Sequence, residues 1–377
     1  YGVYAYQLGS NDSLTVANSV IQQNGNYGLR AEGYSSGGAI SVTDSQIINN
    51  KGYGIYGYYD YGSWIIAGNS ITGNAGAGLY LQNSYDVVIS NSTISGNSGG
   101  TYIGTVRYDF EFSGNALDNN DGWALNYSNG YSSGDSWSTD SILISGNVIT
   151  NTTDNNSWKG GIYVYDNGAA DAVVTNNSVS GGNDGIYIDN NETNVQPLVS
   201  NNTVTNVEYY GLYIRGKVVP TLTGNILDGN GYGLYVEYTD ANGNGDFEVS
   251  NNIITNSTNG GITVSGYADP VINNNDIYGN GGYAIRNNTA FDIDAKNNWW
   301  GVADTAEING GVNPQSLSFI YDSNNSTSSG FVNYAGWLDD TYDTGVPVST
   351  AITGRLDLID ANGNVAATYQ SGDDVYL

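Results

Sequence analysis

Apolar and polar residues alternate with a period of two along most of this chain, in short bursts that end in Asn or Gly. A helix would show a period of 3.6, so each burst reads as a strand. The bursts also recur. One half-motif places an apolar pair before Ser/Thr/Gly-Asn or Asn-Asn, then a spacer and an aliphatic anchor. Clear copies are IAGNSI (66–71), ISGNVI (144–149), VTNNSV (174–179), VSNNTV (199–204) and LTGNIL (222–227). The anchors fall at Val20, Ile47, Ile71, Ile94, Leu117, Ile149, Val179, Val204, Leu227, Ile254, Ile277 and Trp300. They are spaced about 25 residues apart, a period that marks a solenoid. A second half-motif, Gly-aliphatic-Tyr, usually follows eight residues on, as in GIYGY (54–58), GLYLQ (78–82) and GLYVE (233–237).

Strands this short cannot stabilise themselves, but stacked coils of them bury one continuous core. The spacing predicts an all-β fold, a parallel β-helix of three sheets and about twelve rungs, roughly 55–60 Å long at 4.8 Å per rung. The right hand is the one that parallel crossovers adopt. One Asn column precedes the anchors: Asn18, Asn69, Asn91, Asn115, Asn147, Asn177, Asn202, Asn225, Asn252, Asn275 and Asn298, with Asp44 in the remaining rung. Asn tolerates the left-handed backbone of a tight corner, and stacked amides bond along the rod.

Residues 1–301 are therefore assigned to the β-helix, 302–346 to a closing segment, and 347–377 to a linker and the first strands of a β-sandwich-like repeat. Gly2-Val3-Tyr4 is already the second half of a rung, so the first half is expected upstream; the chain is expected to be a segment of a longer secreted protein, or else its tail pairs with another subunit. The large Gly and Asn content thus belongs to corners rather than to a disordered tract.

Composition narrows the chemistry. There is no Cys, Met or His, so the usual zinc, blue-copper and haem ligand sets and His-dependent hydrolases are excluded. With nine basic residues and a net charge of −28, a nucleic-acid partner is not expected. No apolar run approaches the roughly 20 residues that span a bilayer, so no membrane insertion is expected.

The repeat resembles the right-handed parallel β-helix proteins of the pectate-lyase-like superfamily, and most of all its NosD-like, surface-protein branch. The likeness covers residues 1–340 and includes Asn297-Asn298-Trp299-Trp300-Gly301, Ile320-Tyr321-Asp322 and VNYAGWL (332–338). Ala335-Gly336 stands where the family often has Pro, and 309–319 reads as an insertion. The resemblance implies the fold, while the superfamily holds lyases, hydrolases, epimerases, adhesins and structural proteins alike. Its lyases use basic residues, and those here are scattered, with only Arg215 and Lys217 close together. Its epimerases use a His, and none exists.

Candidate chemistry is sparse. Two-carboxylate hydrolysis would need acids about 5–9.5 Å apart. Asp184 and Asp189 with Glu208, or Asp292 with Asp294, are the candidates, and surface acids are the plainer reading. In TDANGNGDFE (239–248), Asp240, Asn242, Asn244, Asp246 and Glu248 alternate with small residues as oxygen ligands do in calcium loops. An Asx/Gly-rich turn explains the same residues, as a hairpin turn does DANGN (360–364). Tyr4, Tyr56, Tyr80, Tyr163, Tyr187, Tyr213 and Tyr235 form an outward column, suited to stacking on glycan rings or a neighbouring subunit. Asn91, Asn151 and Asn256 head glycosylation sequons.

Two functional readings follow. One is an extracellular structural or adhesive surface protein, a rigid acidic rod in an S-layer, sheath, fibre or adhesin, self-associating into a layer or filament or contacting glycans. The other is a secreted carbohydrate-active enzyme or glycan-binding module on the same fold, with calcium as its only candidate cofactor.

Overall fold

The structure is a computed structural model that describes residues 1–33, 38–59, 61–130, 139–151, 160–193, 195–241 and 245–348, with the backbone of Leu356–Ile359 and Val365–Tyr369. Each strand pairs with its counterpart one turn later, so three sheets grow side by side. Sheet A has thirteen strands, from Val3–Tyr6 through Leu29–Glu32 and Ile55–Tyr58 to Ile320–Tyr321. Sheet B also has thirteen, from Ser13–Ala17 to Val332–Asn333, and sheet C eleven, from Val20–Gln22 to Asp276–Tyr278. Successive turns pair in parallel, as Leu29 with Ile55, Ile40 with Trp64 and Ile47 with Ile71. Twelve steps along sheet A span roughly 58 Å at 4.8 Å each. The strands Leu356–Ile359 and Val365–Tyr369 pair antiparallel with each other.

The core is a stack of like residues. In sheet C, Ile47, Ile71, Ile94, Leu117, Ile149 and Val179 follow one another in register, all buried. The first turn departs from the expected anchors. Val20 pairs with Gln46 and is 57% exposed, whereas Ile21 pairs with Ile47 and is buried. The anchor there is Ile21, because a one-residue slip in a strand sends every side chain to the other face.

The single Asn column of the sequence resolves into two. Asn18, Asp44 and Asn91 hold the left-handed corner, with φ of 48°, 49° and 50°, and Gly68, Asn176 and Asn201 occupy the same place in other turns. The residue after the corner is the ladder: Ser19, Ser45, Asn69, Ser92, Asn115, Asn147, Asn177, Asn202, Asn225, Asn252, Asn275 and Asn298. Asn177 shows the bonding. Its Oδ1 accepts from the backbone N–H and Nδ2 of Asn147 at 3.1 and 2.9 Å. Its Nδ2 donates to the Ile144 carbonyl at 3.0 Å and to Asn202 Oδ1 at 2.9 Å. A buried position that must both donate and accept along the rod suits a primary amide. A second ladder runs at the other end of sheet C, through Asn24, Asn50, Asn74, Asn97 and Asn120.

The glycine of the Gly-aliphatic-Tyr motif has a different reason. A Cβ on Gly185 would lie 2.3 Å from the Gly211 carbonyl oxygen and 2.3 Å from Val204 Cγ1. The next turn simply passes too close. Gly185→Ala should therefore cost about 1–3 kcal/mol as overpacking, read as a lowered denaturation midpoint. An unchanged midpoint would mean that the turns can part there enough to admit a methyl group.

The coil closes through the Asn-Asn-Trp-Trp-Gly run. Asn298 ends the first ladder by turning its Nδ2 back to the Ile272 and Ala295 carbonyls at 2.7 and 2.8 Å. Trp300 is buried against Phe319, with ring centroids 5.5 Å apart. A helix that the strand periodicity gave no sign of, Gly301–Gly310, follows with Ile308 as its buried contact. Gln315 Nε2 donates to the Glu307 and Ile308 carbonyls, satisfying orphan acceptors at the helix end. The chain then gives sheets A and B one more strand each.

Candidate functional site

The outward face of sheet A carries the most continuous set of side chains on the rod. Strand register places Tyr4, Arg30, Tyr56, Tyr80, Tyr102, Asn126, Tyr163, Tyr187, Tyr213, Tyr235, Thr263, Arg286 and Tyr321 in one line. The sequence motif found the tyrosines that follow a Gly-aliphatic pair but missed Tyr102, which follows Gly100 and Thr101. Parallel pairing puts identical rings one rung apart; Tyr56, Tyr80 and Tyr102 stack in sequence and Tyr187 stacks on Tyr213, whereas Tyr163–Tyr187 is tilted and Tyr213–Tyr235 meets edge to face. Centroids lie 5.2 Å apart for Tyr56–Tyr80, 4.8 Å for Tyr80–Tyr102 and 4.4 Å for Tyr187–Tyr213. A second file adds Tyr27, Tyr53 and Trp123 at the corner before the strand and Tyr210 and Tyr232 as the first residue of theirs. It was hidden in the sequence because those residues sit in what reads as a turn.

Charge is threaded through the ribbon. Arg30 lies over the Tyr1, Tyr4, Tyr27 and Tyr56 rings at 5.3–5.7 Å and is paired with Glu32. Farther along, Arg215 stands between Asp189 and Glu237 at 3.6 and 3.5 Å, and the Tyr213 hydroxyl donates to Glu237 at 2.9 Å. Burial raises the phenol of Tyr213, and the hydrogen bond to Glu237 raises it further. Burial likewise pushes Tyr80 up to about 12. The Tyr80 and Tyr213 hydroxyls are thus neutral donors across the ordinary pH range.

The sequence-nominated aspartates are each held by local contacts. Asp184 and Asp189 lie on one strand, Asp184–Asn190, five residues apart, or roughly 16 Å along the backbone. Burial lifts Asp184 to about 6, offset in part by the Tyr210 backbone N–H that donates to it and reinforced by Glu208. Asp189 is raised by burial against the lowering effect of Arg215. Asp292 accepts from the Phe331 N–H at 2.7 Å, and Asp294 pairs with Lys296 at 3.1 Å, so both are engaged locally.

Of the nominated calcium ligands, Asp240 faces Lys217 at 3.8 Å. Asp246 and Glu248 are exposed at alternate positions of Asp246–Ser250, and Asn242 and Asn244 lie outside the described residues. Among the described residues no group of three or more acids is gathered as an ion would need. The sequon residues Asn91, Asn151 and Asn256 all sit at exposed left-handed corners, with φ of 50°, 49° and 55°. The Nδ2 of Asn151 donates to Asp118, and that of Asn256 to Asp228, at 3.1 and 2.7 Å. DANGN (360–364) lies outside the described residues.

One buried group stands apart from this face. Asp166 closes the corner after sheet A, beside the fully buried Tyr127. The Tyr127 hydroxyl bonds to Thr139, which donates to the Val106 carbonyl at 2.7 Å. Among the described residues neither carboxylate oxygen of Asp166 has a hydrogen-bond partner. Burial pushes Asp166 up to about 7, and the nearby Gly168 backbone offsets only part of this.

Comparison with known proteins agrees with the coil. A family described as right handed beta helix region matches residues 1–136, 124–244 and 185–333. No curated protein matches the chain.

Proposed function

The chain belongs to the right-handed β-helix family, and from that premise we propose that it is an extracellular structural or adhesive rod whose tyrosine face makes the contact. The observation that carries this reading is the ribbon itself. Runs of rings on successive rungs, stacked from Tyr56 to Tyr102 and again at Tyr187–Tyr213, present a stiff aromatic surface edged with hydroxyls. Such rings combine a large apolar face with a polar tip, which suits contact surfaces that stay partly wet. A net charge of −28 keeps the remaining surface solvated and limits contact to this face.

The test is retention of the protein on immobilised surface glycans and on a layer of its own copies. Tyr56→Thr with Tyr80→Thr keeps strand-forming residues at outward positions. This pair should lower retention at least tenfold while sedimentation and far-UV circular dichroism stay those of the parent. Equal retention of parent and variant on both surfaces would overturn the assignment of the ribbon as the contact face.

A further inference from the structure

Between Tyr235 and Tyr321 the tyrosine line is interrupted for two rungs, by Thr263 and Arg286. The strand Gly260–Gly266 offers Gly260, Thr263 and Ser265 where its neighbours offer Tyr232, Tyr235 and Glu237 on one side and Tyr283, Arg286 and Asn288 on the other. The result is a trough across sheet A, a cavity of about 190 Å³. Its walls belong to strands two rungs apart, roughly 9.6 Å. A ring in van der Waals contact with a wall on each side needs about 7–8 Å, so one ring fits.

The trough's chemistry is mixed. Tyr235 and Tyr283 supply apolar faces, Asn259 and Asn288 supply donors and acceptors at its rim, and the buried Thr263 lies at its floor. Arg286 supplies charge. Its guanidinium lies 4.4 Å from the Tyr321 ring centroid, and its Nε donates to Asn288 Oδ1 at 3.0 Å. Among the described residues it is paired with no carboxylate, although the chain holds 37 acidic residues. Arg215, one turn before Glu237, is by contrast held by two acids. An exposed, stacked guanidinium without an acid beside it is suited to bidentate binding of an oxyanion from outside.

We propose that this trough binds one saccharide ring bearing an anionic substituent, the ring lying between the tyrosines and the anion on Arg286. The proposal rests on the ribbon being a contact face and names the subsite and ligand class within it. Titration calorimetry with a hyaluronan tetrasaccharide (carboxylated), a chondroitin sulfate tetrasaccharide (sulfated and carboxylated) and cellotetraose (neutral) tests it. Both anionic probes should bind at least tenfold more tightly than the neutral one, and raising salt should narrow the difference. Thr263→Tyr continues the column and fills the trough, so it should abolish binding while the thermal midpoint holds. Arg286→Gln should leave the three probes about equal. Unchanged binding in Thr263→Tyr, equal affinity for all three probes in the parent, or no binding at all would each overturn the proposal. If Thr263→Tyr binds as the parent does while Tyr56→Thr with Tyr80→Thr does not, the ribbon reading survives and the trough does not.

Discussion

Asn177→Ala should destabilise the protein by about 4 kcal/mol, while the neighbouring Asn176→Gly should leave stability within about 0.5 kcal/mol. The two residues are adjacent, both Asn, and part of one sequence motif, yet they occupy different columns. Truncating Asn177 orphans the buried Asn147 N–H and one hydrogen of Asn147 Nδ2, which keeps only the Phe112 carbonyl, and takes a donor from the buried Ile144 carbonyl. Each such group costs about 1–3 kcal/mol when left unsatisfied. Asn176 contributes chiefly a backbone, with φ of 56°, and glycine adopts that conformation without penalty. Urea denaturation of both variants decides the point. Equal losses for the two would mean that the ladder bonds contribute little beyond corner geometry.

The second large effect concerns Asp166 and runs opposite to the usual carboxylate. Its folded-state value of about 7 lies above the unfolded reference of 3.8. Between those values the folded protein binds more protons than the unfolded chain, so stability falls as pH rises. The contribution is intact below about pH 4, drains away through pH 7 and is level above that. At 1.36 kcal/mol per pH unit the full loss is on the order of 4 kcal/mol. Asp166→Asn removes the charge and keeps the shape. It should raise the thermal midpoint at pH 8 by several degrees, and by little at pH 4. A variant whose gain over the parent is the same at both pH values would show that Asp166 is ionised throughout in the folded state.

The coil itself was legible in the amino-acid sequence because its period is imposed by stacking. A buried aliphatic residue must recur wherever a strand recurs, whatever the loop between them does. What escaped was register at the scale of a single residue. Val20 and Ile21 are both good strand formers, and only the pairing with Gln46 and Ile47 settles which faces inward. Corner and ladder were read as one column for the same reason, since Asn fits both. Tyr27 and Tyr53 were unread because turns advertise no outward direction. The trough at Thr263 was invisible in principle, being the absence of a tyrosine from a column, noticed only once its walls are in place. The helix Gly301–Gly310 left no periodic signal, because only Gly301 and Ile308 are buried.

The uneven length of the turns has a mechanical consequence. A coil pulled from one end yields by peeling, one rung at a time, because each rung is bonded only to its neighbours. The thread released by each event is fixed by the residues between like positions. From Ile71 to Ile94 that is 23 residues, and from Leu117 to Ile149 it is 32. These correspond to roughly 80 and 110 Å of extended chain. Loop insertions that leave the static rod unchanged in height thus store extra slack in particular turns, and the rod lengthens under tension in steps whose sizes are written in its own repeat spacing.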